Sequence, residues 1–165
     1  MTWRAGGIAG IVVCVVALVW YLGSPLFIRT SANEAFPTAA PLAASASPAV
    51  GSAAPTPVLL GQGQLGYVDG LHNGTGTVLL VRTGDTVVLR FEDVAITNAP
   101  DVHVYLSRET GGHWNEATSV HLGLLKATNG SFNYAVPAES DLTLLKSVVV
   151  WCRQFSVLVS WADLH

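Results

Sequence analysis

Cys14 and Cys152 are the two cysteines of this sequence, and Cys152 is the residue with the most versatile chemistry. It ends the apolar run SVVVWC (147–152) and stands directly before Arg153. A lone thiol can pass through a sulfenic acid or a mixed disulfide, but it cannot close an internal disulfide. The neighbouring Arg153 guanidinium favours the reactive thiolate form of Cys152. Trp151 and the valines instead provide an apolar surrounding, which is typical of a buried, structural cysteine. The sequence leaves both roles of Cys152 open.

The histidines at positions 72, 103, 113, 121 and 165 are the candidate metal ligands. They do not form the short-spaced pairs by which one helix or hairpin supplies two ligands. A blue-copper site needs a histidine and a methionine within a few residues of its cysteine, and neither follows Cys152 at that spacing. No metal site is therefore predicted, and His103, beside Asp101 on an outward strand face, is expected to be solvated. A metal site built from Asp101, His103 and Cys152 is kept as a third, weaker alternative.

The segment GQGQLG (61–66) matches the dinucleotide-binding pattern GxGxxG. That pattern needs a helix after the glycines, because the amino-terminal dipole of the helix binds the pyrophosphate. Gly70, Gly74 and Gly76 follow instead, so these glycines are predicted to form turns and a bulge. The sequence also lacks GxSxG, SxxK, CxxCH and phosphate-loop motifs. No catalytic constellation of a known enzyme class is recognisable.

The charged residues divide the chain into two unlike parts. The 165 residues carry 8 basic and 11 acidic side chains, a formal charge of -3, which is too balanced for a nucleic-acid surface. Half of the residues are hydrophobic and only 12% are charged. Before Val58 the charged side chains are Arg4, Arg29 and Glu34, so the other charged side chains all lie in residues 58–165.

The first part predicts a membrane anchor (residues 1–29) and a tether (residues 30–57). Residues 5–28 contain no charge, and about 20 apolar residues suffice to cross a bilayer. We expect one pass through the cell membrane, with the N-terminus cytoplasmic and the C-terminal domain outside the cytoplasm. Cleavage near Thr30-Ser31-Ala32 stays open. Residues 30–57 are mostly Ala, Pro and Ser and should form a disordered linker, long enough to hold the domain tens of ångströms from the bilayer.

Residues 58–165 predict a single small all-β domain, an antiparallel β-sandwich or a barrel-like fold. Short apolar runs alternate with turn residues, and period-two patterns occur at TVLLVR (77–82), TVVLRFE (86–92) and VHVYLS (102–107). A hairpin is expected at 83–85, and Asn129-Gly130 is expected to be a turn before FNYAV (132–136). The run 147–152 is apolar on both faces, which is typical of a central, covered strand. Helix is expected only as a turn or two within 115–126 and 141–146.

The segments PDVHVYLS (100–107), HLGLLKATNGSFNYAVP (121–137) and SVVVWCRQFSVLVSWADL (147–164) together resemble the electron-transfer DM-thirteen domain. This family is a small extracellular module seen in Skeletor-type proteins. The most specific element is Trp151-Cys152 followed by Phe155, and the match extends over most of the domain. Val159-Ser160 and Leu144 depart from the residues that the family tends to have there.

The resemblance implies a redox or electron-transfer role centred on Cys152. The cysteine would act as a bare thiol or as a ligand of a prosthetic group such as haem, with Trp151, Phe155 and Trp161 as candidate walls of a haem slot. A redox partner protein is also implied, because a lone thiol needs an outside partner for a two-electron cycle. The alternative is a non-catalytic binding or adhesion module, in which Cys152 is structural and the loop 111–121 makes contacts through Trp114.

Overall fold

A computed structural model describes residues 10–21, 29–37 and 55–165. Within these ranges the strands are β1 (Ser31–Asn33), β2 (Val58–Gln64), β3 (Gly74–Thr83), β4 (Thr86–Ile96), β5 (Val102–Ser107), β6 (Val120–Leu124), β7 (Asn129–Val136), β8 (Ser147–Cys152) and β9 (Val157–Asp163). Single 3-10 turns lie at Glu116–Thr118 and Leu142–Leu144. The predicted all-β domain is confirmed, and both short helical turns fall where they were expected.

Two sheets form a β-sandwich. The first is five-stranded with the order β1-β7-β4-β3-β2, and the second is four-stranded with the order β6-β5-β8-β9. Neighbouring strands are antiparallel except β1, which pairs with β7 in parallel. β8 lies between β5 and β9, and five of its six residues are buried, as its apolar character on both faces predicted.

The core lies between the two sheets, where period-two alternation directs every second side chain inward. The five-stranded sheet contributes Leu89, Phe91 and Phe132, with the two phenyl rings stacked 5.1 Å apart. The four-stranded sheet contributes Val104 and Val150. The opposite face of this second sheet carries His103, Tyr105 and Trp151.

The predicted membrane span lies only partly within the described residues. Residues 10–21 form a helix, whereas residues 5–9 and 22–28 lie outside the described ranges. In the part of the chain that the structure describes, no helix combines the length and apolarity needed to cross a bilayer. Residues 38–54 of the predicted linker also lie outside the described residues.

The start of the predicted linker needs a correction, because residues 30–37 are docked on the sandwich. β1 pairs with the start of β7, and the Glu34 carboxylate accepts from the Asn133 amide at 2.9 Å and binds Lys126 at 2.9 Å. The buried Arg90 guanidinium donates to the carbonyls of Glu34 and Ala35. A segment without apolar alternation is thus ordered by main-chain pairing and one buried cation.

Two glycine positions explain how chain segments approach each other closely. The predicted turn at Asn129-Gly130 is wrong, since both residues belong to β7. Gly130 has a φ of 104°, and a β-carbon at this position would overlap the Ala32 carbonyl of β1. The predicted bulge near GQGQLG is confirmed between Leu59 and Gly61 in β2. A β-carbon on Gly63 would overlap the Asp163 carbonyl, so this glycine lets β2 lie against β9.

Candidate functional site

Cys152 ends β8, and its side chain points into the core between the two sheets. The residue is fully buried and belongs to the main hydrophobic cluster. Its S–H group donates to the Pro100 carbonyl oxygen at a sulfur–oxygen distance of 2.9 Å. This hydrogen bond engages the thiol proton with a main-chain acceptor inside the core. The exposed turn over residues 153–156 follows directly in the chain.

The three predicted walls of a haem slot do not surround Cys152. Trp151 precedes it in the strand and lies on the other face of the sheet, where Trp161 also lies opposite Val149. Phe155 is in the exposed turn. Thiolate ligation of haem needs an apolar slot beside the sulfur, but this sulfur is enclosed by core side chains and hydrogen-bonded to Pro100. The residues present do not fit a haem held by Cys152 and Trp151.

The outer face of the four-stranded sheet carries a cluster of aromatic rings. We call it the outer-face cluster; its members are His103, Tyr105, Trp114, His121 and Trp151. The ring of Trp114 lies 4.5 Å from that of Tyr105 and 5.0 Å from that of Trp151, measured between centroids. The ring of Tyr105 lies 4.9 Å from that of His121. The cluster therefore forms a continuous chain of rings in contact.

The loop between β5 and β6 brings Trp114 onto this face. Ser147 donates to the Glu109 carbonyl at 2.6 Å, and Ser107 donates to the His113 carbonyl at 3.3 Å. The Gly111 amide donates to Asp163 of β9 at 2.9 Å. These bonds fix the loop over the sheet, so that Tyr105 is buried and Trp114 is half-buried. Trp114 is thus a packing residue as well as a loop residue.

Arg153 closes the cluster at the end of β8. Its Nε donates to the Tyr105 hydroxyl at 2.6 Å, and its Nη2 donates to Glu116 at 3.0 Å. The guanidinium also lies over the Tyr105 ring, 5.6 Å from its centroid. Burial raises the pKa of the Tyr105 phenol above its ordinary value, although the hydrogen bond from Arg153 opposes that rise. The phenol therefore stays protonated at neutral pH.

A chain of hydrogen bonds links Asp101, His103 and His121 along the same face. His103 Nε2 lies 2.8 Å from Asp101 Oδ1, and His103 Nδ1 lies 2.8 Å from His121 Nε2. Desolvation lowers the pKa of His121, and the positive charge of Arg153 and the proximity of His103 lower it further. The expectation that His103 is solvated is wrong: its ring is buried because Asp101, His121 and the aromatic rings enclose it.

The weaker alternative of a metal site is not supported by these positions. Asp101 and His103 lie on the outer face, whereas Cys152 points into the core, so the three groups do not converge. Among the described residues, no group of three or more potential ligand side chains is placed to hold a metal ion.

The sequence signal for the outer-face cluster was the period-two alternation of β5 and β8, which places His103, Tyr105 and Trp151 on one face.

A comparison with protein-family models finds the electron transfer DM13 family over residues 67–164. This chain belongs to the electron transfer DM13 family. The match includes β3 to β9, and therefore Cys152 and every member of the outer-face cluster. It confirms the resemblance seen in the sequence. No curated protein and no solved structure matches the chain.

Proposed function

We propose that this chain is an electron-transfer domain that works outside the cytoplasm and is attached to the cell membrane through residues 5–28. The support for the redox role is membership of the DM13 family, whose match contains the complete candidate site. The support for membrane attachment is the uncharged sequence over residues 5–28. A redox partner protein is part of this proposal, because the electron has to come from a donor and leave to an acceptor.

The observation that carries the proposal furthest is the contact between the rings of Tyr105, Trp114 and Trp151. Electron tunnelling falls steeply with distance, so rings in contact pass an electron faster than aliphatic packing of the same length. The half-buried Trp114 and the exposed His121 place one side of the cluster at the surface, where a partner can approach. One electron enters from the donor and one leaves to the acceptor, with no bond made or broken in the domain.

Cys152 is a second redox candidate within the same function, and its geometry imposes a condition. The thiol is fully buried and its proton is bonded to Pro100, so an oxidant or a partner thiol cannot reach the sulfur directly. A thiol cycle would require the turn over residues 153–156 to open. Opening would break the bond from the Arg153 amide to the Asp101 carbonyl, 3.0 Å long, and the bond from Arg153 to Tyr105.

A binding or adhesion module is the second candidate function. The burial of Cys152 favours it, because a cysteine packed in the core needs no redox role to explain its position. The proposed contact residue Trp114, however, packs on Tyr105 and Trp151 and is only partly available to a partner. A partner of this kind would bind the ridge formed by the exposed residues around Trp114.

Photo-induced electron transfer tests the role of the cluster. A ruthenium photosensitiser is attached to Thr118→Cys, beside the cluster, in a Cys14→Ala background. The same label on Asp85→Cys, in the turn between β3 and β4 of the other sheet, is the matched control. A flash and a soluble quencher leave an oxidised label, which takes one electron from a tryptophan; the tryptophan radical is followed by transient absorption.

We expect fast radical formation from position 118, slower formation from position 85, and slowing at position 118 in Trp114→Phe. Phenylalanine keeps the ring packing but is much harder to oxidise. Equal rates from both positions, or no effect of Trp114→Phe, would remove the cluster from the proposal. Loss of partner binding in Trp114→Ala, with unchanged electron transfer in Trp114→Phe, would favour the binding module instead.

A further inference from the structure

We infer that one end of the sandwich lies against the surface of the lipid bilayer. The inference rests on the proposed membrane attachment through residues 5–28 and concerns which part of the domain meets the membrane. The end in question, which we call the Thr30 end, consists of the loops over residues 67–73, 97–101, 125–128 and 153–156, together with Thr30 and Leu124, the last residue of β6.

The strand register shows that these loops share one end of the domain. Residues 97–101 connect β4 to β5, and residues 125–128 connect β6 to β7, so both connections cross between the sheets at this end. The Thr97 amide donates to the Asn73 carbonyl at 2.9 Å, which joins the loop over residues 67–73 to them. The Arg153 amide donates to the Asp101 carbonyl at 3.0 Å, which joins the turn over residues 153–156.

Thr30 is fixed at this end by several hydrogen bonds. Its carbonyl oxygen accepts from the amides of Thr128 and Asn129, each at 3.0 Å, and from the Thr128 hydroxyl at 3.0 Å. Its own amide donates to the Thr128 hydroxyl oxygen at 3.0 Å. The uncharged segment ends at Ile28, two residues earlier. One residue, Arg29, therefore separates the uncharged segment from this anchoring point.

With this attachment point, the tether predicted from the sequence would not hold the domain away from the bilayer. The chain joins the sandwich directly after residues 5–28, and the Ala/Pro/Ser-rich residues come after that junction rather than before it. A bilayer crossed by residues 5–28 would therefore end next to the Thr30 end. In this arrangement only Arg29 would separate the bilayer from the Thr30 end.

The Thr30 end also presents side chains that suit a membrane interface. Its apolar members Tyr67, Leu71, Leu124 and Phe155 are each more than half exposed, and Leu71 reaches 74%. Transfer of leucine and phenylalanine side chains out of water lowers the free energy, and tyrosine favours the headgroup region. A lipid surface next to these side chains would cover them without any further protein. At the other end, Val58 and Leu59 of β2 are also about half exposed, which provides a matched comparison.

The test uses the full chain in lipid vesicles with a Cys14→Ala background. One fluorophore is attached either to Leu71→Cys or to Leu59→Cys, two exposed leucines at opposite ends, while the buried Cys152 stays unlabelled. The vesicles contain lipids with a nitroxide quencher just below the headgroup. We expect loss of fluorescence for the label at position 71 and none for the label at position 59. Phe155→Cys is a second reporter at the Thr30 end and should behave like position 71.

The outcomes separate this inference from the proposal on which it rests. A chain that sediments with the vesicles but shows equal quenching at positions 71 and 59, or stronger quenching at 59, overturns the inference and leaves membrane attachment intact. A chain that does not sediment with the vesicles overturns the membrane attachment and the inference together. The electron-transfer proposal is tested by other residues and is not affected by either result.

Discussion

Replacing Trp114 with alanine should destabilise the domain, because Trp114 covers the outer face of the four-stranded sheet. Its ring lies 4.5 Å from Tyr105 and 5.0 Å from Trp151 between centroids. Truncation of a fully buried aromatic residue costs about 3–5 kcal/mol, and Trp114 is half-buried. We therefore expect a loss of about 2 kcal/mol, to which the two ring contacts contribute.

Urea unfolding of the full-length chain in mild detergent measures this loss. With a slope of about 2 kcal/mol per molar urea, the midpoint should fall by about 1 M. Tyr67→Ala is the control, since Tyr67 is exposed and lies outside the cluster; its effect should remain within about 0.5 kcal/mol. If Trp114→Ala leaves the midpoint where it is, Trp114 is a free contact residue, as the binding-module alternative expected, and the packed cluster is refuted.

Three further predictions concern other parts of the structure. The native Cys152 thiol should react with a thiol reagent far more slowly than the unfolded chain does, because it is fully buried; reaction at the unfolded rate without denaturant would contradict its position in the core. Gly130→Ala should lower the free energy of unfolding by about 2 kcal/mol or more, because alanine disfavours the positive φ and its β-carbon would displace the hydrogen bonds of β1. Amide hydrogen exchange in β1 should become faster, and unchanged exchange would show that β1 is not held there. The pKa of His121 is lowered in the folded state, so its contribution to stability is complete above the unfolded value of 6.5 and is lost as the pH falls through the lower folded value. The unfolding midpoints measured at about pH 8 and about pH 5 should therefore differ less in His121→Gln than in the parent chain. An identical difference in the two chains would refute this role of His121.

The strands of the sandwich could be predicted because their side chains alternate. In β5 and β8 this alternation also separates two sets of residues, with Val104 and Cys152 inward and Tyr105 and Trp151 outward. The sequence alone therefore contained the information that Cys152 and Trp151 face opposite sides of the sheet. The apolar residues on both faces of β8 indicated that its outward side is covered, but not which segment covers it, because this depends on how the loop carrying Trp114 folds back.

The docking of β1 could not be predicted, for a different physical reason. Ser31–Asn33 has no apolar side chain larger than alanine, so no hydrophobic pattern marks it as a strand. It is held by main-chain bonds to β7 and by Arg90, whose guanidinium donates to the Glu34 and Ala35 carbonyls. Such interactions depend on tertiary placement, and only the isolated charge of Glu34 in an uncharged stretch gave any signal.

The most direct test of the central claim compares two neighbouring residues of β8 that face opposite sides of the sheet. With the photosensitiser at position 118, electron transfer is measured in Trp151→Phe and in Cys152→Ala. If the outer-face cluster carries the electron, Trp151→Phe slows the transfer beyond Trp114, and Cys152→Ala leaves the rate unchanged. If Cys152→Ala slows the transfer and Trp151→Phe does not, the electron passes through the core thiol, which contradicts a path through the outer-face cluster.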